Sequence, residues 1–275
     1  MGKSLMPIPD LQAIDLPGGA ISYREAGNGP PLMLLHGINI HSGIWMHQFE
    51  HFAEQYRVIA WDAPSYGSSA PRLTESDTDV GLYASALKDF LDALGVEKVI
   101  MLGHSLGGVI ATRFAGDHPE RLAALVLSCT HPGAAKPKGE PLHEKYQQRI
   151  AERTQYDPLE YGRLQATKMT TGDTPPDLIE KIATIVAETC ATHFPLNARM
   201  SQEADNRAGL ANYTGPVLII NGGRDRLGPS DGHKRLIAAL PHAHRIVFDH
   251  LGHSPYLEDP QTYNESLDEF FAMPS

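Results

Sequence analysis

Gly103-His104-Ser105-Leu106-Gly107-Gly108 sets a single serine among small residues, directly after the apolar run Val99-Ile100-Met101-Leu102 and directly before Val109 to Ala115. A strand that passes into a helix at such a G-x-S-x-G turn lifts the serine hydroxyl clear of the sheet edge. Side chains at Gly103 and Gly107 would collide with the adjoining strand or helix. A serine hydroxyl is a weak nucleophile at neutral pH. It needs a base to take its proton and a carboxylate to hold and support that base. Asp225 follows the apolar run Val217 to Ile220, and Leu251-Gly252-His253 follows the run His244 to Phe248, so both are expected at strand ends in the order Ser, Asp, His. His250, three residues before His253, is the rival base among 14 histidines.

Attack on a carbonyl builds an oxyanion that preset amides can stabilise. The first is expected from Leu106, the second from Ile38 in the turn after His36-Gly37. His36, Gly37, Asn39 and His104 are the substrate-binding candidates. A turn or packing role stands beside that reading, as it does for His41 in the same turn. No H-E-x-x-H spacing occurs, so neither a metal nor another cofactor is expected.

The elements that must position these residues read as alternating strands and helices. Ala20 to Ala26 alternates as a half-exposed edge hairpin strand closed by Gly27 to Pro31, and Leu32 to Leu35 runs as a buried strand into His36. A helix over Ser42 to Gln55, a strand over Arg57 to Asp62 and a helix over Val80 to Leu94 predict β-α-β units and a parallel sheet. Leu122 to Cys129 is a further strand. From Thr130 the composition turns to Pro132, Gly133, Pro137, Gly139 and Pro141, followed by helical patterns without strands. Residues 131–209 are therefore expected to form an inserted helical cap, with helices at Leu142 to Arg153, Pro158 to Met169, Pro176 to Thr192 and Asn197 to Asp205. Residues 1–130 and 210–275 would form the core domain, with strands resuming at Pro216 and His244 and an amphipathic helix at Gln261 to Phe271.

Composition excludes some classes. Lys plus Arg number 23 against 33 Asp plus Glu, a net charge of −10, which argues against binding a phosphate backbone. Cys129 and Cys190 are the only cysteines and form no C-x-x-C motif, which fits thiols that pack in a reducing, cytoplasmic setting. Met1 to Asp10 does not read as a signal peptide, and no stretch approaches the roughly 20 apolar residues of a membrane span, so no membrane partner is expected.

From about Ile21 to Phe271 the chain resembles the α/β-hydrolase superfamily. The resemblance rests on His36-Gly37, Asp62 with Pro64 and Gly67-Ser68, the Gly103 to Gly108 elbow, Asp225 with Pro229, and Gly252-His253 followed by Leu257-Glu258 and Pro260. It implies an eight-stranded, mostly parallel sheet, a cap over the active site and acyl-enzyme hydrolysis without a cofactor. The nearest groups are small bacterial carboxylesterases, enol-lactonases and carbon–carbon bond hydrolases. Meta-cleavage carbon–carbon hydrolases carry a longer glycine run where this chain has Ile38-Asn39-Ile40, which favours a small ester or lactone substrate. Dehalogenases and epoxide hydrolases would place an aspartate at 105. A ligand sensor that keeps the same fold and triad is the reading from another class. Within the cap, Leu142, Tyr146, Met169, Phe194 and Met200 are apolar pocket candidates, and Arg163 or Arg199 could pair with a substrate carboxylate. The chain is expected to act as a monomer or homodimer.

Overall fold

Leu32 to Leu35, Val58 to Trp61 and Leu125 to Leu127 are apolar without alternation, and every one of these residues is fully buried. Strands of this kind must be covered on both faces, and helices do so here. In the computed structural model, which describes residues 8–228 and 231–273, eight strands form one sheet: β1 (Gln12–Ile14), β2 (Ile21–Ala26), β3 (Pro31–Leu35), β4 (Arg57–Trp61), β5 (Val99–His104), β6 (Leu122–Ser128), β7 (Val217–Gly222) and β8 (His244–Phe248). Their order is β1-β2-β4-β3-β5-β6-β7-β8. β2 runs antiparallel to β1 and β4, and the remaining pairs are parallel.

The helices are α1 (Met46–Phe52), α2 (Gly81–Ala93), α3 (Leu106–Asp117), α4 (Glu144–Gln155), α5 (Pro158–Met169), α6 (Pro176–Ala187), α7 (Phe194–Glu203), α8 (Arg207–Leu210), α9 (Gly232–Ala239), α10 (Pro255–Glu258) and α11 (Pro260–Phe271). Leu87 and Phe90 of α2, Val109 and Phe114 of α3, and Leu236 of α9 pack into one core layer. Phe49 of α1 and Leu267 of α11 pack into the other, which also takes in Tyr161 of α5 and Ile182 of α6. α3 opens on Gly107 and Gly108, each of which costs a helix about 1 kcal/mol. Burial of Val109, Ile110 and Phe114, all at 0% exposure, contributes roughly 1.5–3 kcal/mol apiece and outweighs that cost.

Three local expectations are corrected. β2 is not the edge strand, because the short strand Gln12–Ile14 pairs outside it, and its inner partner is β4 rather than the following β3. The helix expected from Ser42 begins as a 3-10 turn over Ser42–Trp45 and becomes α-helical only at Met46. α6 stops at Ala187 rather than Thr192, where Thr189 donates its hydroxyl to the Val186 carbonyl at 2.7 Å and takes an orphan acceptor of the last turn. Pro229 and residues 1–7 of the N-terminal stretch lie outside the described residues. No helix among the described residues is long and apolar enough to cross a membrane.

Candidate active site

β5 delivers Ser105 into a conformation with φ 52° and ψ −116°, a region that costs a non-glycine residue of order 1–3 kcal/mol. The surroundings hold it there. The Ser105 amide donates to the Ser128 carbonyl at 3.0 Å, and its own carbonyl accepts from the Thr130 hydroxyl at 2.6 Å and from the Gly108 amide at 3.0 Å. The expected need for glycine on either side is met: a Cβ at Gly103 would stand 2.6 Å from the Gly107 carbonyl oxygen, and one at Gly107 would stand 2.1 Å from that of Leu35. Substitution at either would push β5, β3 and α3 apart.

Asp225 and His253, brought from the loops after β7 and β8, meet at 2.8 Å between Oδ2 and Nδ1. The other carboxylate oxygen accepts from the amides of Leu227 at 2.8 Å and Gly228 at 3.1 Å. Burial pushes the Asp225 carboxyl up, but the opposing charge and hydrogen bond of His253, with the two amides, hold it well below the usual carboxylate range. A carboxylate accepts only, so Nδ1 of His253 carries a proton toward Asp225, and Nε2 is the ring nitrogen left outside that bond. His250 is exposed and outside this pairing. The His253 loop is pinned by Glu258, whose carboxylate accepts from the Gly252 amide at 2.9 Å and, across to the end of α5, from the Thr171 amide at 2.8 Å.

His36, proposed from sequence as a substrate contact, serves the backbone instead. Its Nε2 accepts from the Ala63 amide at 3.0 Å, which places the ring proton on Nδ1, 2.8 Å from the Gly37 carbonyl oxygen. Both nitrogens are spent, and burial lowers the ring to about 4 against the upward pull of Asp62, so it stays neutral. In a planar trans peptide the carbonyl and the following N–H point opposite ways. Holding the Gly37 carbonyl therefore fixes the direction of the Ile38 amide. Asn39 is likewise corrected: its Nδ2 donates to Tyr161 Oη at 2.7 Å and ties the turn to α5 rather than facing the cavity. His41 is occupied by the Gly43 amide and by Glu188.

Ser105, His253 and Asp225 border one cavity of about 790 Å³ together with Gly37, Ile38 and Leu106. His104 also lines it, set between His253 and Tyr256 with ring centroids 4.8 Å from each and the ring planes inclined at 57° and 63°. Burial, reinforced by the charge of His253, lowers the His104 ring well below the ordinary histidine value, which keeps a second cation away from His253. Of the apolar cap candidates, Tyr146 and Met169 reach the cavity lining, whereas Leu142, Phe194 and Met200 do not. Arg163 pairs with Glu180 and Arg199 with Glu203, both away from this cavity. The basic residues that do line it, Lys136, Lys145, Arg149, Arg226 and Arg235, were missed; Arg149 sits three residues after Tyr146 on α4, a spacing that would have found it.

Cys129 packs as a buried thiol in the cavity wall, as expected, whereas Cys190 is exposed. Ligand atoms of Cys129, Asp225 and His253 lie within 4.8 Å of one another. Burial and the Asp225 charge push the Cys129 thiol well above its usual range, while the other two groups are bonded to each other, so the set favours a carboxylate–imidazole hydrogen bond over metal ligation. His47 and His51 stand four residues apart on α1, but His51 Nε2 lies 2.6 Å from Asp268.

Residues 30–260 match the model of the alpha/beta hydrolase fold family. The chain belongs to the alpha/beta hydrolase family. It is 28% identical over 257 residues to a pimeloyl-[acyl-carrier protein] methyl ester esterase of Nitrosomonas europaea, covering 90% of this chain and 98% of that one. It is also 28% identical over 263 residues to a 2-hydroxy-6-oxononadienedioate/2-hydroxy-6-oxononatrienedioate hydrolase of Pseudomonas putida, covering 91% of each. Among solved structures, an esterase of Exiguobacterium antarcticum superposes with a TM-score of 0.84 at 22% identity over 95% of this chain and 99% of that chain. The eight-stranded α/β-hydrolase sheet is thereby established, and this member of the family is an enzyme of the hydrolase class.

Proposed function

We propose that this hydrolase opens a small ester or lactone through an acyl-enzyme on Ser105. The observation that carries the reading is the 2.8 Å hydrogen bond between His253 and Asp225 at the border of the same cavity as the strained Ser105. His253 Nε2 takes the hydroxyl proton as Ser105 Oγ attacks the carbonyl carbon, and Asp225 supports the imidazolium that results. The carbonyl oxygen becomes an oxyanion facing the amides of Ile38 and Leu106. Collapse breaks the bond to the alcohol oxygen, which receives the proton from His253. A water, deprotonated by the same nitrogen, then attacks the acyl carbon and releases the acid and free Ser105. Residues 131–209 would act as the cap: Tyr146, Met169 and Gln202 from this segment border the cavity. The methyl ester named for the Nitrosomonas relative supports ester chemistry.

A second reading, cleavage of a carbon–carbon bond by the same residues, is favoured by the likeness to the Pseudomonas dienedioate hydrolase. The turn Ile38-Asn39-Ile40 in place of a glycine run weighs against it. Hydrolysis of short-chain p-nitrophenyl esters by the wild type beside Ser105→Ala tests the proposal. Sustained turnover that the variant loses by about 10³-fold or more supports it. Turnover of ring-cleavage diketo acids but not esters transfers the reading to carbon–carbon cleavage, and binding with no turnover of either indicates a sensor.

A further inference from the structure

The chain carries a net charge of −10, yet its active-site cavity is lined by Lys136, Lys145, Arg149, Arg226 and Arg235 against only Asp225 and Asp231. Both acids are already engaged, Asp225 by His253 at 2.8 Å and Asp231 by Arg235 at 3.3 Å. The local field is thus the reverse of the global one, and a cleft so lined draws in anions.

Arg149 stands apart from the other cations. It is 9% exposed, makes no ion pair among the described residues, and its Nε is shut off from solvent with no acceptor. Its guanidinium lies over the ring of Phe194, 5.0 Å away at the centroid, and near enough to the buried Tyr66 to act on its hydroxyl through charge, but neither ring supplies a counter-anion. An arginine is always charged and carries five N–H donors in a planar fork, so burying it without a carboxylate is costly unless something else supplies one.

Partners within reach on α4 are committed elsewhere. Glu152, three residues on, takes Lys168 at 2.6 Å and Gln165 at 3.1 Å. Arg153, one turn on, shows what a structural arginine looks like here: it donates to the carbonyl and hydroxyl of Thr189 and to Asn39 and lies over Tyr161. Arg149 has none of these bonds and faces the cavity that Ser105 borders.

We propose that the substrate is a small ester or lactone bearing a free carboxylate remote from the scissile bond, and that Arg149 receives that carboxylate. The proposal rests on the hydrolase reading above. The guanidinium fork matches a carboxylate with two parallel N–H···O bonds, and Arg149, packed 5.0 Å from the Phe194 ring centroid, lines the cavity.

The test compares a matched pair, p-nitrophenyl butyrate and mono-p-nitrophenyl glutarate, with wild type, Arg149→Met and Arg149→Lys. Met retains packing against Phe194, and Lys retains the charge without the fork. Arg149→Met is expected to lower the ratio of kcat/KM for the anionic over the neutral ester by about 30-fold, chiefly through KM, the scale of a charged hydrogen-bonded pair. Arg149→Lys should recover part of that ratio. An unchanged ratio, with both esters slowed alike, would overturn the proposal and leave Arg149 as a packing residue against Phe194. Calorimetric titration of glutarate into Ser105→Ala, with and without Arg149→Met, separates the two readings. Binding that depends on Arg149 supports the carboxylate site even if no ester is turned over, and ester turnover with no Arg149-dependent binding overturns the site while leaving the hydrolase intact.

Discussion

The amide of Ala63 donates to His36 Nε2 at 3.0 Å, and that one bond decides where the ring proton lies and hence which way the Gly37–Ile38 peptide points. A residue with no face on the cavity thus controls the backbone direction of Ile38, a residue that lines it. His36→Ala would strand the buried Ala63 amide and free the Gly37 carbonyl. A stability loss of about 1–3 kcal/mol is expected by thermal melting, with kcat on a short-chain ester down about 10–100-fold and KM less affected. A lower melting temperature with unaltered kcat would show that the Ile38 amide is held by other means.

His36 and His131 are each lowered by burial to about 4, and His104 is lowered well below the ordinary value of 6.5 by burial and the charge of His253. A group whose folded value lies below its unfolded one adds stability that is complete above the unfolded value and disappears as pH falls through the folded one. For His36 and His131 that window runs from 6.5 down to about 4, and each contributes on the order of 3 kcal/mol across it. Asp225, also held below its unfolded value, extends the loss to lower pH. Melting temperature followed from about pH 7.5 to pH 4 should fall most steeply below about pH 6. A flat profile there would mean that these rings are not buried as neutral imidazoles.

Asp225→Asn keeps an acceptor for the Leu227 and Gly228 amides, but its side-chain NH2 can no longer accept from His253 Nδ1. The ring is then free to carry its proton on Nε2, where it cannot serve as a base. Steady-state kinetics should show kcat reduced by about 10³–10⁴-fold with KM within a few-fold of wild type. A reduction below about tenfold would remove Asp225 from the catalytic role.

Glu258 joins the His253 loop to the end of α5 through the Gly252 and Thr171 amides. Glu258→Ala leaves both donors without an acceptor, and about 1–3 kcal/mol of stability should be lost. Limited proteolysis is expected to become faster between α5 and α6, with a fall in kcat as His253 loosens. Unchanged cleavage and kinetics would show that the Ser254 amide, bonded to the Met169 carbonyl at 3.1 Å, suffices to hold the two segments.

Much of the chemistry was legible in the chain because it is written in local patterns. An unbroken apolar run means a buried strand, and whatever follows it stands at the sheet's carboxyl edge. Ser105 and Asp225 each follow such a run, and His253 follows the mostly exposed edge strand His244–Phe248, so their convergence could be read from strand ends before any contact was known, even though 28 residues separate the bonded acid and imidazole. The glycines around Ser105 were readable for the same reason, since their need arises within one turn. Tertiary structure alone decided the rest. It placed β1 outside β2, turned His36 and Asn39 away from the cavity, and set His104 against His253. It also gathered five cations from a chain rich in acids and left Arg149 without a partner among the described residues. Periodicity reports which face of an element is buried but not what lies opposite it. Which of two arginines one turn apart on α4 finds an acceptor is settled by Thr189 and Asn39, which stand 36 and 114 residues away from Arg153 and reach it only through the packing of the whole fold.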